Sequence, residues 1–356
     1  MRIARCAVLL LLIFPTLLAA ADDASGIPDW RIRVLDFEGG LRFNYMDRQS
    51  GTVTDQSAQY RIRTRLEFNV RRDGSTFFTT RAETGRGFDN SWNNTGAGLG
   101  HPQGIFNLKS LAIHQKIASA LELQAGGLEF DRGAATDGTG ASGDGAMTGY
   151  RAVLTSAAAW LPHTLEVTAG YVGQFNDPNM FSRLRMGDIN YVQGIAEHGF
   201  GERWTGSAEV SSLRDTIYSR AALRAHKLWK FDEAELEAAV RANDAARFAW
   251  SARVGHSWPV QTHLQSQLIY SDLPPEFYLI NAQRALFNRG EFDVGKRLST
   301  ETSCRLGRQV ELSVFAGRLL DNAPSKRWIA EAGLTYQFAN LMNRILSSAS
   351  GHRQAN

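Results

Sequence analysis

Past residue 21 the chain has no uninterrupted apolar run near the roughly 20 residues that a helix needs to cross a bilayer. A helical membrane protein is therefore excluded, whereas crossing as a closed sheet is not. Cysteine is nearly absent: there are 2, Cys6 and Cys304. Cys6 lies in a segment expected to be removed, so no disulfide can form within the mature chain, and it stands too early for a lipoprotein processing site. Charge of one sign is also lacking. The formal net charge of +3 falls to +1 once Arg2 and Arg5 are removed, which leaves no bulk electrostatic reason to expect nucleic acid as a partner. Catalytic signatures are missing as well. No G-x-S-x-G elbow occurs, and His114, His198, His226 and His256 have no serine or acid at a motif spacing. The glycine-rich stretch 131–149, with Asp137 and Asp144, lacks the ligand spacing of a calcium loop. Neither an enzyme nor a metal nor a cofactor is expected.

What is present begins with a leader. Arg2 and Arg5 precede an apolar run from Ala7 to Leu18, broken by Pro15 and followed by Ala19, Ala20, Ala21, Asp22 and Asp23. This is the pattern of a secretory signal peptide cleaved after Ala21. The expected organisation is a signal peptide at 1–21, a short periplasmic segment at 22–33, a single barrel domain at 34–338 and a periplasmic tail at 339–356.

From residue 34 onward the chain breaks into segments of about ten to fourteen residues with period-two alternation. Residues 60–71 are the clearest. Tyr60, Ile62, Thr64, Leu66, Phe68 and Val70 fall on one face, and Arg61, Arg63, Arg65, Glu67, Asn69 and Arg71 on the other. A helix would scatter those arginines, while a strand gathers them on one side. About sixteen such segments are counted, with fourteen and eighteen left open and the weakest alternation near 187–199 and 288–298. Short turns, as at 72–74, 118–120 and 231–233, take turns with longer polar stretches at 48–56, 88–105, 132–147, 176–186 and 273–287. Bacterial barrels combine short periplasmic turns with longer external loops. Trp160, Trp204, Trp229 and Trp258 stand beside the short turns, where an interfacial aromatic girdle belongs. The expected fold is all-β, a transmembrane antiparallel up-and-down barrel, in contact with outer-membrane lipid.

Near the C-terminus, Glu331-Ala332-Gly333-Leu334-Thr335-Tyr336-Gln337-Phe338 resembles the sorting signal that outer-membrane barrels show to the barrel assembly machinery, with Gly333, Tyr336 and Phe338 as its carriers. Tyr60 to Phe68 resembles an early lumen-facing strand of the porin-like families, and Gly126 to Gly133 a strand running into an external loop. The resemblance extends more loosely to the alginate-export type of barrel. It implies an outer-membrane pore for small hydrophilic solutes, or alternatively an exporter of an acidic polysaccharide; a barrel enzyme or an adhesin is the third class.

The candidate pore-lining residues are Arg61, Arg63, Arg65, Glu67, Arg71, Arg81, Glu83, Glu122, Arg220 and Arg224. Two outcomes are open for them. Guanidiniums left unpaired would draw anionic solutes into the lumen, whereas pairing with Glu67, Glu83, Glu122 and Glu129 would brace the wall and leave little net field.

Overall fold

The computed structural model describes residues 31–343 except 49, 72, 86–90, 135, 137–145, 159, 174–178, 215, 243–246, 260–262, 278–293 and 324–325. The expected leader and most of the 22–33 segment lie outside the described residues, as does the tail from 344 onward.

Seventeen strands form one antiparallel sheet. They are β1 Arg31–Arg48, β2 Val53–Asn69, β3 Thr76–Thr84, β4 Asn93–Gly98, β5 Phe106–Ala118, β6 Leu121–Glu129, β7 Ala146–Thr155, β8 Thr164–Tyr171 and β9 Tyr191–Phe200, followed by β10 Trp204–Leu213, β11 Thr216–Leu228, β12 Phe231–Arg241, β13 Arg247–Ser257, β14 Leu264–Leu273, β15 Gly295–Leu306, β16 Val310–Leu319 and β17 Lys326–Gln337. β1 pairs with β2 on one side and with β17 on the other, from Glu38↔Gln337 to Arg48↔Lys326, so the sheet closes. β4 stands outside the ring. It adds to β2 between Ser57 and Tyr60, while β3 passes directly to β5. Sixteen strands therefore make the closed wall, as expected.

The strands follow from alternation, but with the two faces exchanged relative to a protein that folds in water. On β10, Ser207, Glu209, Ser211 and Leu213 are buried inside the barrel while Val210 is 56% exposed on the outside. On β12, Glu237 is fully buried and Leu236 is 57% exposed. Leu165, Val167, Leu223, Phe248, Leu268, Leu298, Leu312 and Val314 continue the exposed apolar band around the wall. A continuous apolar belt of this kind is unfavourable against water and suits lipid, as in a transmembrane barrel. Trp160 and Trp229, at the short turns, are 82% and 95% exposed.

Several boundaries differ from the sequence reading. β2 ends at Asn69, and Arg71 sits in the turn to β3 rather than on the strand. That turn is fixed by Gly74 at φ +69 and by the Ser75 N–H, which donates to Asp73 Oδ1 at 2.9 Å and holds that carboxyl below its usual pKa. The connection expected at 48–56 shrinks to 49–52, because β1 and β2 extend toward each other at its tip. β15 begins seven residues later than the segment at 288–298 had suggested. The 88–105 stretch is not wholly loop, since it contains β4.

Beyond β17, residues 339–343 are helical. Asn343 folds back on β1, donating to Val34 O at 2.8 Å and accepting from Val34 N at 2.9 Å. Val34 lies where the β1–β2 register slips, so its backbone groups are open to a side-chain partner there.

The barrel interior is not uniformly polar. Phe130 and Met147 flank the β6–β7 connection, and Phe277 and Val294 flank the β14–β15 connection. All four belong to one buried apolar cluster with Tyr191, Leu213, Tyr218, Ala239, Ala249 and Leu319. Phe130 meets Tyr191 edge-on at 5.2 Å, and Phe277 meets Tyr218 at 5.4 Å. The described flanks of two long connections thus lean inward over the β9–β16 side.

Candidate functional site

The strongest concentration of chemistry lies on the inner wall formed by β17, β1, β2 and β3. Arg61, Arg63, Arg65 and Glu67 share the inner face of β2 because a strand turns alternate side chains the same way. Arg81 and Glu83 join them from β3, where Arg65↔Arg81 and Arg63↔Glu83 are direct cross-strand neighbours.

Every arginine in this ladder meets a carboxylate. Arg61 pairs with Glu38 at 2.5 Å, and Arg63 reaches Asp36 at 2.9 Å and Glu38 at 3.1 Å. Arg65 pairs with Glu129, which also takes Arg81 at 3.4 Å. Glu83, fully buried, lies 3.5 Å from both Arg81 and Lys109. Arg42 bonds Glu331 at 3.2 Å and Gln59 at 2.8 Å. In the low dielectric of a wall, an unpaired charge would be costly, and losing one partner of a buried pair typically costs about 3 to 5 kcal/mol.

The partners are only in part those that the sequence suggests. Glu83 and Glu129 do serve the ladder. Glu122 bonds His114 Nδ1 at 2.8 Å and accepts from Gln124 at 2.8 Å, near the short turns, and Glu67 accepts from Asn69 at 3.3 Å. The carboxylates that hold Arg61 and Arg63 are Asp36 and Glu38 on β1, which sequence reasoning missed. Their signal was present, since Asp36, Glu38, Arg42 and Asn44 keep the same parity along β1. Glu129 is a different case. Simple alternation from Glu122 and Gln124 would turn it outward, but Gly126 breaks the step at φ +123, where a Cβ would lie 2.5 Å from Leu111 O.

Arg220 and Arg224 do not extend the ladder; they belong to a second wall. Arg220 is buried with Glu209 at 2.7 Å and donates to Ser211 at 2.9 Å. Arg224 and Arg253 share Glu235, at 2.6 and 2.7 Å, and Glu233, at 3.1 and 3.6 Å. Between this four-charge cluster and Gln265, Gln267, Glu301, Ser303 and Glu311 lies a polar cavity of about 400 Å³, at the short-turn end of the barrel.

The motif at the end of β17 divides between faces. Gly333 lies opposite Arg42 and Ser313 on the inside, and a Cβ there would come within 2.8 Å of Ser313 Oγ. Tyr336 and Phe338 pack ring to ring at 4.4 Å, Phe338 also meets Phe37 at 5.2 Å, and the Tyr336 hydroxyl donates to Gln309 at 2.6 Å. They form an aromatic knot at the short-turn rim. Among the described residues no group of three or more His, Cys, Asp or Glu side chains is placed to hold a metal ion.

No protein-family model matches the sequence, and no curated protein does. Solved structures do resemble the fold. The porin of Salmonella typhi solved as "OmpF complex with Daunomycin" aligns with a TM-score of 0.56 at 12% identity, covering 85% of this chain and 97% of that one. A substituted Rh. blastica porin aligns with a TM-score of 0.54 at 10% identity, covering 86% and 100%. At such identities the likeness is one of architecture: a closed sixteen-stranded barrel of the porin kind.

Proposed function

We propose that the chain is an outer-membrane pore through which small hydrophilic solutes diffuse. One observation carries the reading: a closed ring of sixteen strands is apolar without and carries many buried polar and charged side chains within. Barrels of 16 to 18 strands are wide enough for an aqueous channel. The ladder Arg61, Arg63, Arg65, Glu67, Arg81 and Glu83 lines that channel on one side, with Arg220 and Arg224 opposite and Glu122 toward the short turns. Lipid contacts the apolar belt, and the assembly machinery reads Gly333, Tyr336 and Phe338.

Selectivity is weak in this reading. A preference for anions, one of the two outcomes the sequence left open, required guanidiniums without partners, and here Asp36, Glu38, Glu83, Glu129 and Glu331 stand against Arg42, Arg61, Arg63, Arg65, Arg81 and Lys109. The ladder braces the wall and orders the field across it. No specific observation favours export of an acidic polysaccharide.

The test is conductance of the purified protein in a planar bilayer, with reversal potentials across a salt gradient. The parent should conduct with little preference. Changing Arg61, Arg63 and Arg65 together to Gln leaves Asp36 and Glu38 uncompensated and Glu129 with Arg81 alone, so the variant should turn cation-selective, most strongly at low salt. A folded parent that conducts nothing would remove the pore reading, and a triple variant with unchanged reversal potential would remove the ladder from it.

A further inference from the structure

Trp92 enters the lumen from the β3–β4 connection and stands on the ladder. The benzo edge of its indole abuts Gly40, whose hypothetical Cβ would lie 3.0 Å from Cη2 and 3.5 Å from Cζ3. The ring is therefore set upright on the wall. Its faces are turned to cations: the guanidinium of Arg42 lies 4.5 Å from the ring centroid and that of Arg61 4.6 Å. Each such contact contributes about 0.5 to 2 kcal/mol, depending on desolvation.

The backbone that presents the indole is tied down on both sides. Ser91 and Asn93 are fully buried. Ser91 O accepts from Thr84 Oγ1 at 2.7 Å, Asn93 Nδ2 donates to Ile105 O at 2.8 Å, and Asn93 Oδ1 accepts from Gly85 N at 3.2 Å. Trp92 itself is half-buried. A large rigid side chain on an anchored backbone, resting on a glycine with two guanidiniums over its ring, is a fixed projection rather than a mobile one.

Its position matters because of what fills the other side. The buried apolar cluster around Tyr191, Tyr218, Phe130 and Phe277 draws on β5 to β16 and the flanks of their connections, whereas β1 and β2 set Glu38, Arg42, Arg61 and Arg63 in the neighbourhood of Trp92. A solute that follows the charged ladder passes Trp92.

We propose that Trp92 sets the size limit for solutes on the ladder side of the lumen, a specificity-determining residue seated on Gly40; the proposal rests on the pore reading above. Because two guanidiniums already lie over the ring, the indole acts as a post that narrows the passage, not as a stacking platform for a sugar.

The experiment is the swelling rate of proteoliposomes in a neutral pentose, hexose and disaccharide, with heat-modifiable migration confirming that each variant is folded. Trp92→Ala should raise the disaccharide-to-pentose rate ratio severalfold. Gly40→Val acts from the other side, pushing the indole into the lumen, and should lower the same ratio while the pentose still enters. A parent that admits the pentose, together with both variants at the parental ratio, would overturn the role of Trp92. A folded parent that admits no solute would instead overturn the pore itself.

Discussion

Asn343 makes two hydrogen bonds to the backbone of Val34, across 309 positions of sequence. A net bond of this kind contributes about 1 kcal/mol, and an orphaned backbone group costs about 1 to 3 kcal/mol. Asn343→Ala should therefore lower the temperature at which the folded barrel loses its heat-modifiable mobility, while leaving assembly intact. Ending the chain after Phe338 should reproduce that loss and no more. Phe338→Ser removes the ring that packs on both Tyr336 and Phe37, and it should reduce the amount of folded protein in the outer membrane. Assembly abolished by truncation alone would move the signal from β17 to the tail. At this scale the sequence was readable where alternation held, as for Arg61, Arg63 and Arg65. It was unreadable where a side chain's partner came from a distant strand, as Glu38 does for Arg61, or where one glycine broke the step, as Gly126 does before Glu129. Trp92 carried no period and no motif, and only the folded connection places it on Gly40.

At the scale of elements, the described flanks that lean inward belong to long connections, and these leave the wall at the end opposite the short turns. Peptide epitopes inserted in the 88–105 and 131–148 stretches should be labelled on intact cells, because an even number of strands returns both termini to the short-turn side. Labelling confined to broken cells would invert the barrel. The strands themselves were legible because a wall with lipid outside and polar side chains inside enforces period two along its whole length. The exceptions have local causes. β4 is six residues of mostly small and polar side chains, NNTGAG, and exists because it adds to the free end of β2 beyond the reach of β3. β15 starts at Gly295, at φ +105, where a Cβ would meet Leu319 and Ala323; residues 288–293 of the expected segment lie outside the described residues.

For the whole molecule, the deciding feature is the seam at which β1 meets β17. Until the last strand is placed, two open edges remain, one at β1 and one at the growing end, and each is a template for pairing with another chain. The barrel is therefore satisfied only as a complete object, although the β1–β17 pairing alone waits on closure and the other wall pairings join strands that follow one another along the chain. Once closed, the seam is an ordinary antiparallel pair of eleven matched positions with one slip near Arg48. The first and last described segments meet at the short-turn rim, where Asn343 touches Val34. The wall thus has no intrinsic beginning. A gene whose order is rotated, with a short linker joining the old ends near that rim and new ends opened in the Gly307 turn, should encode the same ring, migrate as the same heat-modifiable species and conduct as the parent does. Failure of such a rotated chain to close, while the parent closes, would mean that the order in which strands are delivered, and not only their pairing, is written into this protein.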